Sequence, residues 1–334
     1  MTEATAVTRE HDSTFHSMGC DVRVLIGPPL REGLPGPDEA ATRARAFVDD
    51  FAARLSRFRP DSELSRLNAD PRAAVPASPL LRAAVGAGIW AANRTGGLVD
   101  PSLLDALERG GYRDSLDGAT PASLRQALDA TPVRVPAGPG PAALWRTLAV
   151  DHRGGLVRRP PGVRFDTGGT GKGLAADAVA CRLANYSRFV VDCGGDIAVG
   201  GAAALARPYE IAVEHPLTGE HVHSLTLSSG GVATSGLNVR IWRRADGSFA
   251  HHLLDPATEE PAWTGLIGAT ALGGSALEAE TLSKQALLSG PDRARQVLAP
   301  LGGLLVHDDG DVELVGPVHA APRVRLRMPA GAAA

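Results

Sequence analysis

The side chains best suited to bind and transform a ligand gather between Val163 and Gly201. A short apolar run ends in Asp166, the glycine-rich turn Thr167-Gly168-Gly169-Thr170-Gly171 follows, and Lys172 opens a segment with apolar residues at spacings of three and four. A glycine turn that runs into a helix N-terminus leaves backbone N–H groups unscreened, which suits a phosphate, and the lysine adds a cation. After the apolar run Phe189-Val190-Val191, Gly194-Gly195-Asp196 offers a second tight turn carrying a carboxylate. Two familiar phosphate motifs do not fit. A P-loop needs glycine where Asp166 stands and Ser or Thr where Gly173 stands; the dinucleotide spacing needs a third glycine where Leu174 stands. Taken alone, the stretch is equally a pair of tight turns with a surface lysine, and the rest of the chain must decide.

Composition excludes several functions. The 334 residues are 44% hydrophobic and 21% charged, with a formal net charge of −3, which is ordinary for a chain able to build one large domain or two. That balance gives no bulk attraction to nucleic acid or to a membrane surface, and 4% aromatic content leaves little for base stacking. The first residues carry charge without an apolar centre, so they read as neither signal peptide nor anchor. No run approaches the roughly 18 apolar residues of a membrane span. Cys20, Cys181 and Cys193 are odd in number and follow no metal spacing, which points to reduced thiols and a cytoplasmic location.

The helices and strands around these side chains follow from pattern. Residues 1–14 are expected to be a disordered tail. Asp21–Ile26 alternates as a strand, and a Pro/Gly-rich loop leads to a helix from Asp38 to Leu55. Asp61 or Ser62 caps a short helix, and Ser78 caps one reaching Asn93. The turn Thr95–Pro101 presents Asp100, and helices follow over Ser102–Glu108 and Pro121–Ala130. Strands are expected around 145–151 and 155–165. Tyr209–Glu214, His221–Leu227 and Gly231–Thr234 suggest an antiparallel meander. Val239–Trp242 and Ser248–Leu254 suggest a hairpin turning at Ala245-Asp246-Gly247. Gly265–Leu272 reads as a strand, Ser275–Leu288 and Pro291–Leu298 as helices, 303–307 and 311–316 as strands, and the final GAAA as a tail. The irregular mixture of helices and strands indicates an α+β fold rather than a doubly wound sheet.

In this order the pieces resemble the ApbE family, the FAD:protein FMN transferases. Met18-Gly19 is similar to the family's Met-Gly-Thr block, with Cys20 in place of Thr. Ser56–Asn68 resembles the block containing Ser-Glu-Leu-Ser-x-Leu-Asn, and Gly97–Pro101 the turn ending in Asp-Pro. Asp166–Asp177 is similar to Asp-Leu-Gly-Gly-Ile-Ala-Lys-Gly-x-x-x-Asp, and Asp192–Asp196 to a Gly-Gly-Asp turn. Ala233–Gly236 and His252–Thr258 resemble Thr-Ser-Gly and His-x-x-Asp-Pro-x-Thr. The resemblance covers about residues 15–290. It implies one ApbE-like domain over 15–330, with mixed or antiparallel sheets, packed helices and a T-fold-like, two-lobed shape with the FAD site between the lobes. It also implies a reaction: a Thr or Ser hydroxyl of an acceptor flavoprotein attacks the FMN-side phosphorus of FAD, and AMP leaves.

On that resemblance Gly168, Gly169 and Lys172 lie against the diphosphate, His252 is the base with Asp255 beside it in the catalytic set, and Met18 packs on the flavin. Asn68, Asp100, Asp177 and Ser235 complete the cofactor-binding set. The family's Mg²⁺ site implies Gly171 (through its carbonyl), Glu280 and Lys284 at the metal positions. Here the pattern breaks, because the family has Asp where Glu280 stands and Thr where Lys284 stands. Glu280 can still offer oxygen to a hard cation, whereas a protonated Lys284 has only donors. Three readings are open: the ammonium replaces Mg²⁺, Glu280 still holds Mg²⁺ with the phosphates, or the chain binds FAD without transferring it. A surface Glu-x-x-x-Lys pair on a helix is the bland alternative. FAD hydrolysis to FMN and AMP is a further competing activity. His221 with His223, the thiol of Cys193, and Gly268-Ala269-Thr270 are read as structural, and His251 points away from His252.

Overall fold

Along Cys20–Ile26, Val22, Val24 and Ile26 have no exposure while Arg23 faces solvent, so one side of the strand belongs to a core. The computed structural model describes residues 10–318, and in it this strand joins seven others in one sheet. They are β1 (His11–Ser17), β2 (Cys20–Ile26), β3 (Phe189–Cys193), β4 (Asp196–Gly200), β5 (Gly230–Gly236), β6 (Leu266–Gly273), β7 (Gly303–His307) and β8 (Val312–Val315). They lie side by side in chain order, and every neighbouring pair is antiparallel. The α+β class is that expected.

Helices cover the sheet in register with its strands. The segment between β2 and β3 contributes α1 (Pro37–Leu55), α2 (Glu63–Ala69), α3 (Pro79–Thr95) and α4 (Gly171–Arg182); α5 (Ala276–Leu298) connects β6 to β7. Residues Ala40, Ala44, Val48, Phe51 and Leu55 form the buried stripe of α1 against β1 and β2. Helix α4 lies on β3 and β4, and α5 on β5 and β6. Ser62, Ser78 and Ser275 cap α2, α3 and α5 by accepting from the amides of Ser65, Leu81 and Glu278. The two helices expected over 275–298 run on as α5 across a break at Gly290, whose φ of 73° precedes Pro291. Among the described residues no helix is long and apolar enough to cross a membrane.

Several expectations need correction. Strand β1 starts at His11, inside the stretch assigned to a tail; its alternation was hidden because only Phe15 of the strand is buried and apolar. Residues 1–9 and the terminal GAAA lie outside the described residues. The meander does not form. Tyr209–Glu214 and His221–Leu227 pair only with each other, whereas Gly230–Gly236 enters the main sheet between β4 and β6. Its small residues are buried on both faces, which suits a central strand, while the hairpin keeps one polar face. The strand expected over 155–165 stops at Arg158, ahead of Pro160-Pro161-Gly162.

Glycine sets the closest approach in the sheet. A methyl group on Gly231 of β5 would lie 2.4 Å from backbone atoms of Ser275 and Ala276, so the first turn of α5 rests directly on the strand. Gly231→Ala is expected to lower unfolding free energy by roughly 1–3 kcal/mol, as overpacking does. The readout is a lower urea midpoint at unchanged slope; an unaltered midpoint would show that α5 shifts without cost.

Candidate active site

The glycine turn is shaped by its own backbone. The Thr167 carbonyl accepts from the amides of Thr170 (3.0 Å) and Gly171 (2.7 Å), and Asp166 Oδ2 accepts from Gly168 N (3.1 Å). The chain thereby curls into α4 with Gly168, Gly169 and Gly171 bordering a cavity of about 710 Å³. One residue past Lys172, a methyl on Gly173 would stand 2.7 Å from the Ala276 carbonyl oxygen, so α4 and α5 cross here in backbone contact.

Two buried carboxylates stitch that crossing. Asp177 accepts from the amides of Ala276 (2.8 Å) and Leu277 (3.0 Å), and thus caps α5. Burial pushes its carboxyl up to about 6 against the pull of those amides. Glu280 Oε2 accepts from Gly173 N (2.8 Å), and its Oε1 accepts from Lys284 Nζ (2.9 Å). Burial pushes the Glu280 carboxyl up, with the Lys284 ammonium pulling back. On the other side of the turn Lys172 Nζ meets Asp196 Oδ2 at 2.5 Å and donates to the Gly194 carbonyl at 3.2 Å. Burial draws the Lys172 ammonium down, but Asp196 and Glu280 outweigh it and hold it above the ordinary lysine range. Both ammonium groups border the cavity, with a carboxylate behind each.

His252 borders the same cavity. Burial first, and then the charge of Arg240, holds its imidazole well below the usual histidine range, so the ring is neutral at pH 7. Nδ1 lies 3.3 Å from the Arg240 carbonyl oxygen. A proton there is donated to that carbonyl and leaves Nε2 as a proton acceptor. His251 turns the other way: it is fully buried, meets Trp263 edge-on at 4.6 Å, and burial draws it down to about 3.

The structure brings Met18, Asp100, Gly168, Gly169, Gly171, Lys172, His252 and Lys284 to one cavity. Met18 occupies the β1–β2 turn with a φ of 55°, a conformation a methionine adopts only when its surroundings enforce it. Asp100 Oδ1 accepts from the Ser102 amide and hydroxyl, and burial raises its carboxyl. Outside the metal set, four expected site residues lie elsewhere: three expected ligands and Asp255 of the catalytic set. Asn68 spends its amide on the Phe165 backbone in both directions (2.8 Å each), Asp177 caps α5, and Ser235 pairs its hydroxyl with Ser283 (2.8 Å). Asp255 accepts from Gly138 N (2.9 Å) and Ala257 N (3.0 Å), so it fixes the loop after His252 rather than reaching the cavity. Sequence reasoning did not single out Arg57, Phe58, Tyr112 or Arg240, all of which line it. The first two sit inside the quoted Ser56–Asn68 block; the others carry no local signal.

A divalent metal does not fit the set Gly171, Glu280 and Lys284. Both Glu280 oxygens already accept hydrogen bonds, and the third position carries a cation of its own. Among the described residues no group of three or more His, Cys, Asp or Glu could hold a metal ion. Nor is Glu280-x-x-x-Lys284 a surface pair, since neither residue is more than 8% exposed.

The chain belongs to the ApbE family, whose pattern matches residues 18–306. It is 25% identical over 314 residues to the FAD:protein FMN transferase of Salmonella typhimurium, covering 86% of this chain and 87% of that protein. To the enzyme of the same name from Klebsiella pneumoniae it is 27% identical over 291 residues, covering 83% and 80%. Its fold is shared with the ApbE protein of Thermotoga maritima, at a TM-score of 0.73 and 23% identity over 92% of this chain and 97% of that one. The flavin transferase ApbE of Vibrio cholerae gives 0.69 and 22% over the same shares.

The buried His251 makes stability depend on pH. Its folded-state pKa lies below its unfolded one, so from about pH 6.5 downward the unfolded chain binds a proton that the folded chain refuses, and stability falls as pH falls. Between pH 6.5 and 5 this site should cost about 2 kcal/mol. His251→Asn should flatten that slope in denaturant titrations, and an identical slope would acquit His251.

Proposed function

We propose that the chain is an FAD:protein FMN transferase, moving FMN from FAD to a Thr or Ser hydroxyl of an acceptor flavoprotein with release of AMP. What carries this reading is the convergence of the glycine turn, the ammonium groups of Lys172 and Lys284, and the neutral imidazole of His252 on one cavity, in a chain of a family whose named relatives are such transferases. The diphosphate lies along the Gly168–Gly171 turn at the start of α4, where the absence of side chains permits close approach. The acceptor oxygen attacks the FMN-side phosphorus while His252 Nε2 takes its proton. The bond from that phosphorus to the bridging oxygen breaks, and AMP departs with the electron pair. Met18 packs on the flavin and Asp100 accepts from a hydroxyl of the substrate.

Magnesium would supply charge neutralisation on the diphosphate. The donor set speaks against a metal here, and Lys172 and Lys284 carry that charge instead. The site works within a single two-lobed domain that includes β1 from His11. Three free cysteines, Cys20, Cys181 and Cys193, support a cytoplasmic setting with a cytosolic acceptor. The near-neutral charge supports no nucleic-acid partner.

The test is AMP release from FAD with and without a Thr-containing acceptor. Release only with acceptor supports transfer; release without it means hydrolysis, and no release means binding alone. His252→Asn should slow transfer by about 10²–10⁴-fold, as loss of a general base does. Because the imidazole is neutral well below its usual range, kcat/KM should stay level from pH 8 down to 6, and a fall centred near 6.5 would contradict that. Transfer should survive EDTA, and Lys284→Thr should create a Mg²⁺ requirement. Activity abolished by EDTA in the wild type would refute the ammonium's role.

A further inference from the structure

Arg57 is among the charged groups of the cavity that the proposed chemistry leaves unused. Arg57 lies on the cavity wall with its side chain 7% exposed. Its guanidinium carbon stands 4.2 Å from the centre of the Phe58 ring and 4.4 Å from that of Tyr112, and the two ring centres are 5.5 Å apart. Nε lies 3.6 Å from Asp166 Oδ1, too long for a hydrogen bond. Nη1 and Nη2 are buried without a hydrogen-bond partner among the described residues. Buried guanidinium donors left unmade are costly, so a fork held this way between rings calls for an acceptor from outside the chain.

From this geometry, and resting on the reading of the cavity as an FAD site, we infer that Arg57 is a specificity-determining residue that recognises the isoalloxazine ring, donating through its Nη atoms to the carbonyl and ring-nitrogen edge of the flavin pyrimidine. Two observations favour the ring over a phosphate. The surroundings are apolar and flat: Tyr112 clusters with Leu107 and Leu254, and Leu103 and Trp242 pack beside them, which suits a fused aromatic ring. Phosphate charge already has its counterparts in Lys172 and Lys284 on the α4–α5 side of the cavity. A planar fork meeting a planar acceptor edge also explains why arginine rather than lysine suits this position.

The experiment compares wild type, Arg57→Met and Arg57→Lys for binding of FAD, riboflavin and ADP by calorimetry. Riboflavin carries the ring without phosphate, and ADP carries the diphosphate without the ring. Arg57→Met should weaken FAD and riboflavin by on the order of 10- to 100-fold while ADP stays within about twofold, which also shows the fold intact. Arg57→Lys should restore little, and the visible band of bound flavin should shift in both variants. Unchanged riboflavin binding, or ADP weakened in step with FAD, overturns the inference. Should Arg57→Met lose all three ligands, Arg57→Lys decides: selective loss of riboflavin supports the ring contact, and full restoration refutes it. If wild type binds neither FAD nor riboflavin, the flavin reading falls and takes this inference with it; if wild type binds both and the variants match it, only this inference falls.

Discussion

The carboxylate of Glu280 holds the site together from within. One oxygen takes the Gly173 amide of α4 and the other takes the Lys284 ammonium, so a single fully buried group fixes both the glycine turn and the cation that faces the cavity. Its burial would be prohibitive for an isolated anion; Lys284 beside it and Lys172 within electrostatic range make it tolerable, against the repulsion of Asp196. Remove that carboxylate and Lys284 becomes a buried cation without its counter-charge, while the crossing of α4 and α5 loses one of its two side-chain ties. The catalytic geometry and the packing of two helices are the same set of atoms.

That coupling explains how the sheet and the site constrain each other. Gly231 and Gly273 admit the first turns of α5 onto β5 and β6, and Gly173 admits α4 onto α5, so backbone contact replaces side-chain packing where the functional groups must be held most rigidly. Charged groups tolerate such a site only when each has a near partner, and the Lys172–Asp196 and Lys284–Glu280 pairs meet that condition. Arg57 is the exception, held by aromatic faces and a distant carboxylate.

What the sequence made legible was local. The turn at Ala245-Asp246-Gly247, the caps at Ser62 and Ser78, and the opposite orientations of His251 and His252 follow from rules that reach only a few residues along the chain. What it hid was distant pairing. Asn68 and Phe165 are 97 residues apart, and Asp177 and Ala276 are 99 apart, yet each pair is joined by hydrogen bonds that consume the polar groups a motif would assign to a ligand. Ser235 and Ser283 repeat the case. A polar residue in a recognisable block is equally suited to a substrate or to a backbone amide, and only the folded path decides. Tyr112 and Arg240 reach the cavity from loops whose local pattern says nothing of where they end.

The order of the strands has a consequence for how the cavity closes. From β3 onward each strand meets the next after a turn, a hairpin or one helix, whereas β2 meets β3 only once residues 27–188 have been looped out. Closing that loop carries the largest entropic cost among the sheet's connections, and such non-local pairing is slow. The cavity straddles this seam: Met18 precedes the loop, Lys172 lies near its end, and His252 comes after β5. A molecule that touches all three binds only the closed seam, and by mass action it adds its binding free energy to the most non-local joint in the sheet. Amide exchange along β2, compared with β6 in the presence and absence of nucleotide, reads that joint directly, and equal protection in both conditions would show that substrate and seam are independent.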